Sequence, residues 1–468
     1  MAQRRGRHVA TLARCPGGVE EVRRGGSRRG LLRALALATF ALGWIACLSG
    51  VARAEPAFGD SDWVAPFAGA NPADPGDPGP RVAKPDHDPL GVTILRLPFR
   101  AAFLPLRLIA RGAEKGIGRI GPAGKPASSG AALPHWKFEP IVDTAPGAGL
   151  RVTRRLDPRG DANISATGSY AWNDRRRARL AFRTDPYDAP RGFQVVGSYS
   201  FRPNTKFYGV GNSSERGDKS IWLEEESRVD AVFHVGKPIA HELRLLGGYS
   251  QISARSGFNA PAGVPRIEDQ FTPAEVPFLL RGSRVLSFGL AADLGLLDDI
   301  RSPSRGVAAR LRAEQFKASD TSGLDYLRYH TEVRAYLPVF VARRMLALRI
   351  LHDWVDPKAG SAEVPHYRLP ETNDELRFNG YQTHRFTDRH LVLAQAEYRW
   401  WLSNRVFAVL NANAGEVASS AKQLRLADRH QAFGVGLRYG NSDRFSARAD
   451  AAKGSEGLVL NLTLEDTF

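Results

Sequence analysis

From residue 135 to the C-terminus, apolar and polar side chains alternate in runs of about ten residues, divided by clusters of Gly, Asp, Asn and Pro. In one run, Val307, Ala309 and Leu311 alternate with Arg310 and Arg312. A period of two puts neighbouring side chains on opposite faces of a β-strand. The apolar face often ends in Tyr, Trp or Phe and the polar face carries paired charges, which is typical of strands between lipid and a wet lumen.

The length and number of these runs favour a membrane barrel over a soluble sandwich. About ten residues cross a bilayer at a tilt, whereas soluble strands average about five or six. The predicted strands begin near His135, Gly149, Asn163, Arg176, Phe193, Lys219, His241, Ser283, Arg305, Asp325, Arg344, Leu391, Arg405, His430, Arg444 and Gly457. The even number is usual for single-chain bacterial barrels, and the longest connections, 257–282 and 355–390, belong on the cell exterior. The predicted fold is all-β, a 16-stranded antiparallel transmembrane β-barrel over residues 135–468.

The last strand alternates up to a terminal aromatic residue. Leu458, Leu460, Leu462, Leu464 and Phe468 are predicted to face lipid. Asn461, Thr463 and Glu465 are predicted to face the lumen. A barrel strand that ends in Phe resembles the C-terminal signal by which outer-membrane barrels are recognised for assembly, although Asp466 stands where that signal usually has an apolar residue.

The first 54 residues have the order of a secretory signal peptide: arginines, an uncharged apolar run, and Ala52-Arg53-Ala54. Cleavage is expected after Ala54, and a retained membrane anchor is the alternative. This segment holds ten Arg and two Glu, a charge of +8 out of the +16 of the chain, and both cysteines, Cys15 and Cys47. The remaining charge is therefore weak evidence for nucleic-acid binding.

Residues 55–134 are interpreted as a periplasmic linker. Eight prolines between residues 56 and 89 argue for an extended chain and against a packed domain. Residues 90–120 mix apolar residues with arginines, which fits either an amphipathic segment at a membrane surface or a short helix that flanks the barrel. The sequence has no G-x-S-x-G motif of a serine hydrolase. His87 lies between two aspartates and could bind a metal, but such a group in a linker is usually solvated. We therefore expect no enzyme activity, cofactor or metal.

Residues 376–402 resemble the sixth-loop region of the BamA/TamA superfamily, also called the bacterial surface antigen family. The matching positions are Gly380, Tyr381, Arg385, Phe386, Asp388 and Glu397-Tyr398-Arg399. Residues 207–212, FYGVGN, and 302–311, SPSRGVAARL, are similar to family segments too. The predicted strand order places this loop between strands eleven and twelve, where the family has it.

The resemblance implies a loop held inside the barrel by an arginine that precedes the glycine, but this chain has Asn379 there. An amide cannot reproduce bidentate guanidinium contacts. The hypothesis is that Arg377 or Arg385 substitutes, with Asp388 or Glu397 as acceptor, and that Glu397 and Arg399 are lumen partners. An ordinary exterior loop is the alternative. The family's periplasmic POTRA domains and patatin-like lipase have no clear counterpart in this chain.

Two functions remain open at this point. The resemblance implies an outer-membrane barrel that contacts lipid and assists nascent outer-membrane proteins, with the barrel assembly machinery as partner, through a weak seam between first and last strands. Pro140 in the first strand has no N–H to donate, although it could also simply begin a short strand. The alternative is a passive pore, in which arginines would favour anions. Those arginines are Arg310, Arg312, Arg328, Arg334 and Arg399.

Overall fold

The structure is a computed structural model. It describes residues 136–143, 147–156, 162–171, 173–184, 190–237, 241–258, 260–298, 303–339, 344–373, 378–402, 406–425, 429–440 and 445–466. The predicted signal peptide, linker, Arg377 and Phe468 lie outside these residues, as does the side chain of Leu464.

Sixteen antiparallel strands form one sheet, and each strand pairs with its neighbours in sequence. The strands are β1 Trp136–Asp143, β2 Gly147–Arg155, β3 Asn163–Ala171, β4 Arg176–Arg183, β5 Arg191–Phe207, β6 Ser220–Lys237, β7 His241–Ser256, β8 Ser283–Leu297, β9 Gly306–Ala318, β10 Asp325–Pro338, β11 Arg344–Pro357, β12 His390–Trp401, β13 Val406–Ala418, β14 His430–Gly440, β15 Phe445–Gly454 and β16 Gly457–Asp466. Each predicted start lies within two residues of the observed one. The all-β fold class and strand number are confirmed.

Helical structure among the described residues is limited to short turns in the loops. These are α1 Ile267–Gln270 and three 3-10 turns, Arg216–Asp218, His366–Arg368 and Ala421–Gln423. In the part of the chain that the structure describes, no helix has the length and apolar character needed to cross a membrane.

The outer face of the sheet is apolar, as the alternation predicts. Phe288 is 63% exposed, Leu296 70%, and Leu460 and Leu462 of the last strand 73% each. Burying large apolar side chains normally stabilises a protein by about 1.5–3 kcal/mol each, so a surface of this kind needs lipid against it. The alternation with a period of two therefore places apolar side chains on the outer face and polar side chains on the inner face of the sheet.

Charges on the inner wall are paired. Arg310 Nε lies 2.7 Å from Asp293 Oδ1, and Arg328 Nη2 lies 2.8 Å from Asp353 Oδ2. The other three arginines of the pore alternative pair in the same way, Arg312 with Glu314, Arg334 with Glu332 and Arg399 with Glu397. Each of these five guanidiniums therefore has a carboxylate partner that weakens its positive potential, although Glu332 and Glu397 are shared with other arginines.

The first and last strands are the edges of the sheet. Within the described residues β1 pairs only with β2 and β16 only with β15, yet Cα atoms of β1 and β16 come within 8 Å of each other. Pro140 lies in the middle of β1, opposite Leu150 of β2, so the reading that it begins the strand is wrong. A residue without an N–H in mid-strand reduces the hydrogen bonds that this edge can form.

Candidate functional site

The connection between β11 and β12, residues 358–389, is called loop six here. It turns back on itself, since Thr372 N donates to Phe386 O at 3.0 Å and Phe386 N donates to Thr372 Oγ1 at 3.2 Å. Asp388 N continues this pairing to Pro370 O at 3.2 Å. The two arms of the loop therefore form a hairpin that is closed by these hydrogen bonds.

Three aromatic side chains of the loop are buried: Phe378, Tyr381 and Phe386. They pack against inner-wall residues of β11 to β14, namely Leu351, Leu391, Leu393, Val417 and Ala432. The Tyr381 hydroxyl donates to Gln431 O at 3.1 Å and accepts from Ser455 N at 3.3 Å. The alternative of an ordinary exterior loop is therefore wrong, because this contact is apolar and internal.

Gly380 lies flat against the wall. Its φ is +95°, and a Cβ at this position would lie 2.5 Å from the Ala432 Cβ and 3.2 Å from Gly454 N. The wall is equally close at Gly454, where a Cβ would lie 2.7 Å from the Tyr381 ring. Only glycine combines this backbone conformation with such an approach.

Arg385 joins the loop to two distant parts of the chain. Its Nε donates to Glu456 Oε1 at 2.7 Å, in the turn between β15 and β16, and its Nη1 donates to Ser214 Oγ at 2.7 Å, in the loop between β5 and β6. The side chain is only 2% exposed and lies over the Phe386 ring. We call Gly380, Tyr381, Arg385 and Phe386, with the groups that they contact, the loop-six seat.

The hypothesis that Arg385 takes over the holding role is supported, but its predicted acceptors are wrong. Asp388 accepts from Arg389 N at 2.7 Å, and burial raises the pKa of its carboxyl. Glu397 lies on β12 among three arginines of the wall: Arg399, Arg438 and Arg448. Asn379 is buried, and its side-chain oxygen has no hydrogen-bond partner among the described residues.

Two further residues of the loop were missed by the sequence analysis. Arg368 is fully buried, donates to Ser250 Oγ at 2.8 Å and lies 3.7 Å from Glu226. His366 is buried edge-on against Phe207 and Trp222, and its Nδ1 lies 3.1 Å from Pro277 O. Neither residue stands in a motif, and their partners are distant in sequence.

The segment 207–212 lies next to loop six, whereas 302–311 lies elsewhere. Gly211 N donates to Thr387 O at 2.9 Å, and Arg385 lies over the Tyr208 ring. Residues 303–305 belong to the turn before β9 and residues 306–311 begin β9, at the ends of the strands opposite loop six. Of these two segments, only 207–212 therefore contacts the loop-six seat.

Among the described residues, no group of three or more His, Cys, Asp or Glu side chains could hold a metal ion. The seat fixes loop six to the last hairpin turn and to the β5–β6 loop at once.

Known structures contain the same fold. BamA from Haemophilus ducreyi lacking POTRA domains 1–3 matches with a TM-score of 0.50 and 12% identity, over 70% of this chain and 69% of that chain. CdiB from Acinetobacter baumannii and CdiB from Escherichia coli match with TM-scores of 0.43 and 0.45 and 10% identity each, over 70% of this chain and 58% and 61% of theirs. No family model and no curated protein matches the sequence. The resemblance to the BamA/TamA superfamily is confirmed at the level of the fold.

Proposed function

We propose that this chain is an outer-membrane barrel that assists the insertion or translocation of other outer-membrane proteins through the gap between β1 and β16. The observation that carries the proposal is that these two strands face each other as the unpaired edges of the described sheet. An unpaired edge in lipid is unstable, because each unsatisfied backbone group costs several kcal/mol there.

The same edge groups suit a client strand. Backbone donors and acceptors on β1 and β16 can pair with any extended segment, which gives affinity without a fixed side-chain sequence. Lipid lies against the outward leucines of β16, so a nascent strand that pairs there enters the membrane next to apolar side chains. Nascent outer-membrane proteins and the barrel assembly machinery are the partners in this proposal, and the chain performs no catalysis.

A passive pore is the weaker function. Loop six packs apolar side chains against the inner wall near its own ends of the strands, with Phe378, Tyr381 and Phe386 in one cluster and Val364 and Leu369 in another. The arginines on which anion preference depended are paired.

A disulfide across the gap tests the proposal. Phe138→Cys would be combined in turn with Leu458→Cys, Leu460→Cys and Leu462→Cys, in a Cys15→Ser, Cys47→Ser background. A urea-denatured barrel protein is added to proteoliposomes, and its protease-protected fraction is measured with and without reductant. We expect the bonded variant to lose insertion and reductant to restore it.

The matched control places a disulfide between strands that stay together. Gly168 and Ala178 face each other across β3 and β4, so a Gly168→Cys, Ala178→Cys pair leaves the gap free. Equal insertion by the bonded and reduced gap variants would contradict the proposal.

A further inference from the structure

The outer face of β8 and β9 carries two exposed cations at the loop-six ends of these strands. On β8, Leu286 and Phe288 are exposed on the outer face, and Arg284, two residues before Leu286, points the same way and is exposed. Lys317 lies opposite Leu286 on β9 and is exposed on the same face. Arg284 and Lys317 are therefore diagonal neighbours, about 7–8 Å apart, within reach of each other's long side chains.

The carboxylates nearest to these cations are held by other groups. Asp325 lies opposite Lys317 on β10, but its Oδ1 is 3.5 Å from Lys358 Nζ. Asp320 accepts from the backbone N–H of Arg284 at 2.7 Å, so it caps the end of the strand. Among the described residues, no carboxylate lies within ion-pairing distance of the Arg284 guanidinium or the Lys317 ammonium.

A third polar side chain on the neighbouring strand faces the same way. Gln251 of β7 lies directly opposite Arg284, and its amide can donate. Arg255, farther along β7, has a different setting, because it lies 3.2 Å from Glu225. We call Gln251, Arg284 and Lys317 the rim cluster. A guanidinium, an ammonium and an amide side by side suit a phosphate, which accepts from several donors at once.

The rim cluster lies at the height of lipid headgroups. The outward column of β8 from Leu286 to Leu296 covers about 26 Å along the membrane normal, at about 3.4 Å per residue and a tilt of about 40°. This equals the apolar band of such barrels, about 25 Å tall. Arg284 is the next outward residue, about 5 Å beyond the column, and the long Lys317 side chain can extend to the same level.

We propose that the rim cluster binds the phosphate of an outer-leaflet lipid, whose acyl chains lie along the column below it. The long connections, loop six among them, are expected on the cell exterior, so the leaflet at this end of the strands is the outer one. A soluble acidic protein fits less well, because Leu286 and Phe288, directly below the cations, need hydrocarbon against them. The inference rests on the membrane position of the barrel and not on the insertion of client proteins.

Lipid binding in detergent tests the proposal. Diphosphoryl lipid A, a phosphorylated glycolipid, is added to the purified full chain in mild-detergent micelles, and the bound lipid is counted by native mass spectrometry. For an Arg284→Gln, Lys317→Gln variant we expect roughly a tenfold loss of bound lipid. An Arg154→Gln, Arg191→Gln variant is the control, since it removes the same charge from exposed outward positions at the opposite ends of β2 and β5, and it should bind like the native chain.

The phosphate and the acyl chains are tested separately. Lipid A without its phosphates should bind weakly to all three proteins alike, and excess inorganic phosphate should leave the diphosphoryl lipid in place. Displacement by inorganic phosphate would show that phosphate alone occupies the rim cluster, against the lipid assignment. Folding of each variant is checked by heat-dependent migration in SDS gels. Equal lipid binding by the folded Arg284→Gln, Lys317→Gln variant and the native chain would overturn the proposal.

Discussion

At Gly380 the backbone conformation and the neighbouring atoms both require glycine. In a Gly380→Ala variant the new methyl group would meet the Ala432 Cβ at 2.5 Å, with φ at +95°. Overpacking of this kind costs about 1–3 kcal/mol, and the left-handed backbone adds about 1 kcal/mol or more. We expect faster protease cleavage within loop six in detergent-extracted protein, because the loop leaves its seat more often.

Gly360 provides the matched control. It lies in the same loop at φ +77°, but nothing lies within 4 Å of the position that its Cβ would take. Gly360→Ala should therefore show the backbone effect alone. Equal cleavage rates for the two variants would show that the contact with Ala432 does not hold the loop.

His366 makes the packing of loop six sensitive to acid. Burial lowers the pKa of this imidazole from 6.5 to about 4. When the loop is unseated the imidazole is solvated and titrates near 6.5, so the unseated state binds more protons between about pH 6.5 and pH 4. The packed state of loop six is therefore destabilised as pH falls through this window, by about 2 kcal/mol at about pH 5. Loop-six proteolysis measured from pH 7 to pH 5 should accelerate.

A His366→Gln variant isolates this contribution, since it removes the titrating group. His384 acts in the opposite direction: burial opposes its charge, but Glu371, 2.8 Å away, raises its pKa. The His384–Glu371 ion pair stabilises the packed loop below about pH 6.5 and weakens as pH rises through the raised pKa of His384. This effect is the same in the native chain and in His366→Gln. A pH dependence of proteolysis that is unchanged in His366→Gln would exclude His366 as its source.

The strands were predictable because their signal is local. Alternation over about ten residues placed all sixteen starts within two residues, and one outward residue fixes the face of a whole strand. The seat was only half predictable. Gly380, Tyr381 and Arg385 stand in a recognisable segment, but the partners of Arg385 lie 71 and 171 residues away and that of Arg368 lies 118 residues away. Such contacts depend on how all the strands assemble into the sheet, and a local sequence pattern does not contain this information.

The last strand offers a direct test of its two faces. Leu460 points outward and Asn461 inward on consecutive positions of β16. Leu460→Arg places a charge in lipid, which costs about 2–4 kcal/mol at the bilayer midplane, whereas Asn461→Arg places it toward a polar wall. Unfolding in urea from lipid vesicles should show the larger loss for Leu460→Arg. A larger loss for Asn461→Arg would mean that Asn461 faces lipid and Leu460 faces the lumen.

Loop six connects regions that the sheet alone keeps apart. Arg385 binds the β15–β16 turn and the β5–β6 loop, while Arg368 reaches Ser250 of β7. One of these attachments is the last hairpin, whose β16 is an edge of the proposed client gap. A seated loop therefore restrains that edge while it fills the lumen, so lumen closure and gap restraint depend on the same side chains.

This double role predicts graded conductance. Arg385→Ala removes the guanidinium that binds the half-buried Glu456 and Ser214, and a hydrogen bond to a charged group contributes about 1.5–3 kcal/mol, so the loop should unseat part of the time. Replacing residues 358–389 by a short Gly-Ser linker removes the obstruction, while the ladder from β1 to β16 stays intact. In planar bilayers we expect low conductance for the native chain, intermittent openings for Arg385→Ala and steady openings for the deletion.

The control is Arg399→Ala, because Glu397 keeps Arg438 and Arg448 as partners and the seat is not touched. Its conductance should match that of the native chain. Folding of all variants is checked by heat-dependent migration in SDS gels, so that a rise in current is not mistaken for a damaged barrel. Unchanged conductance after deletion of a correctly folded loop would mean that another segment closes the lumen, and Arg385 would then hold the last hairpin without gating it.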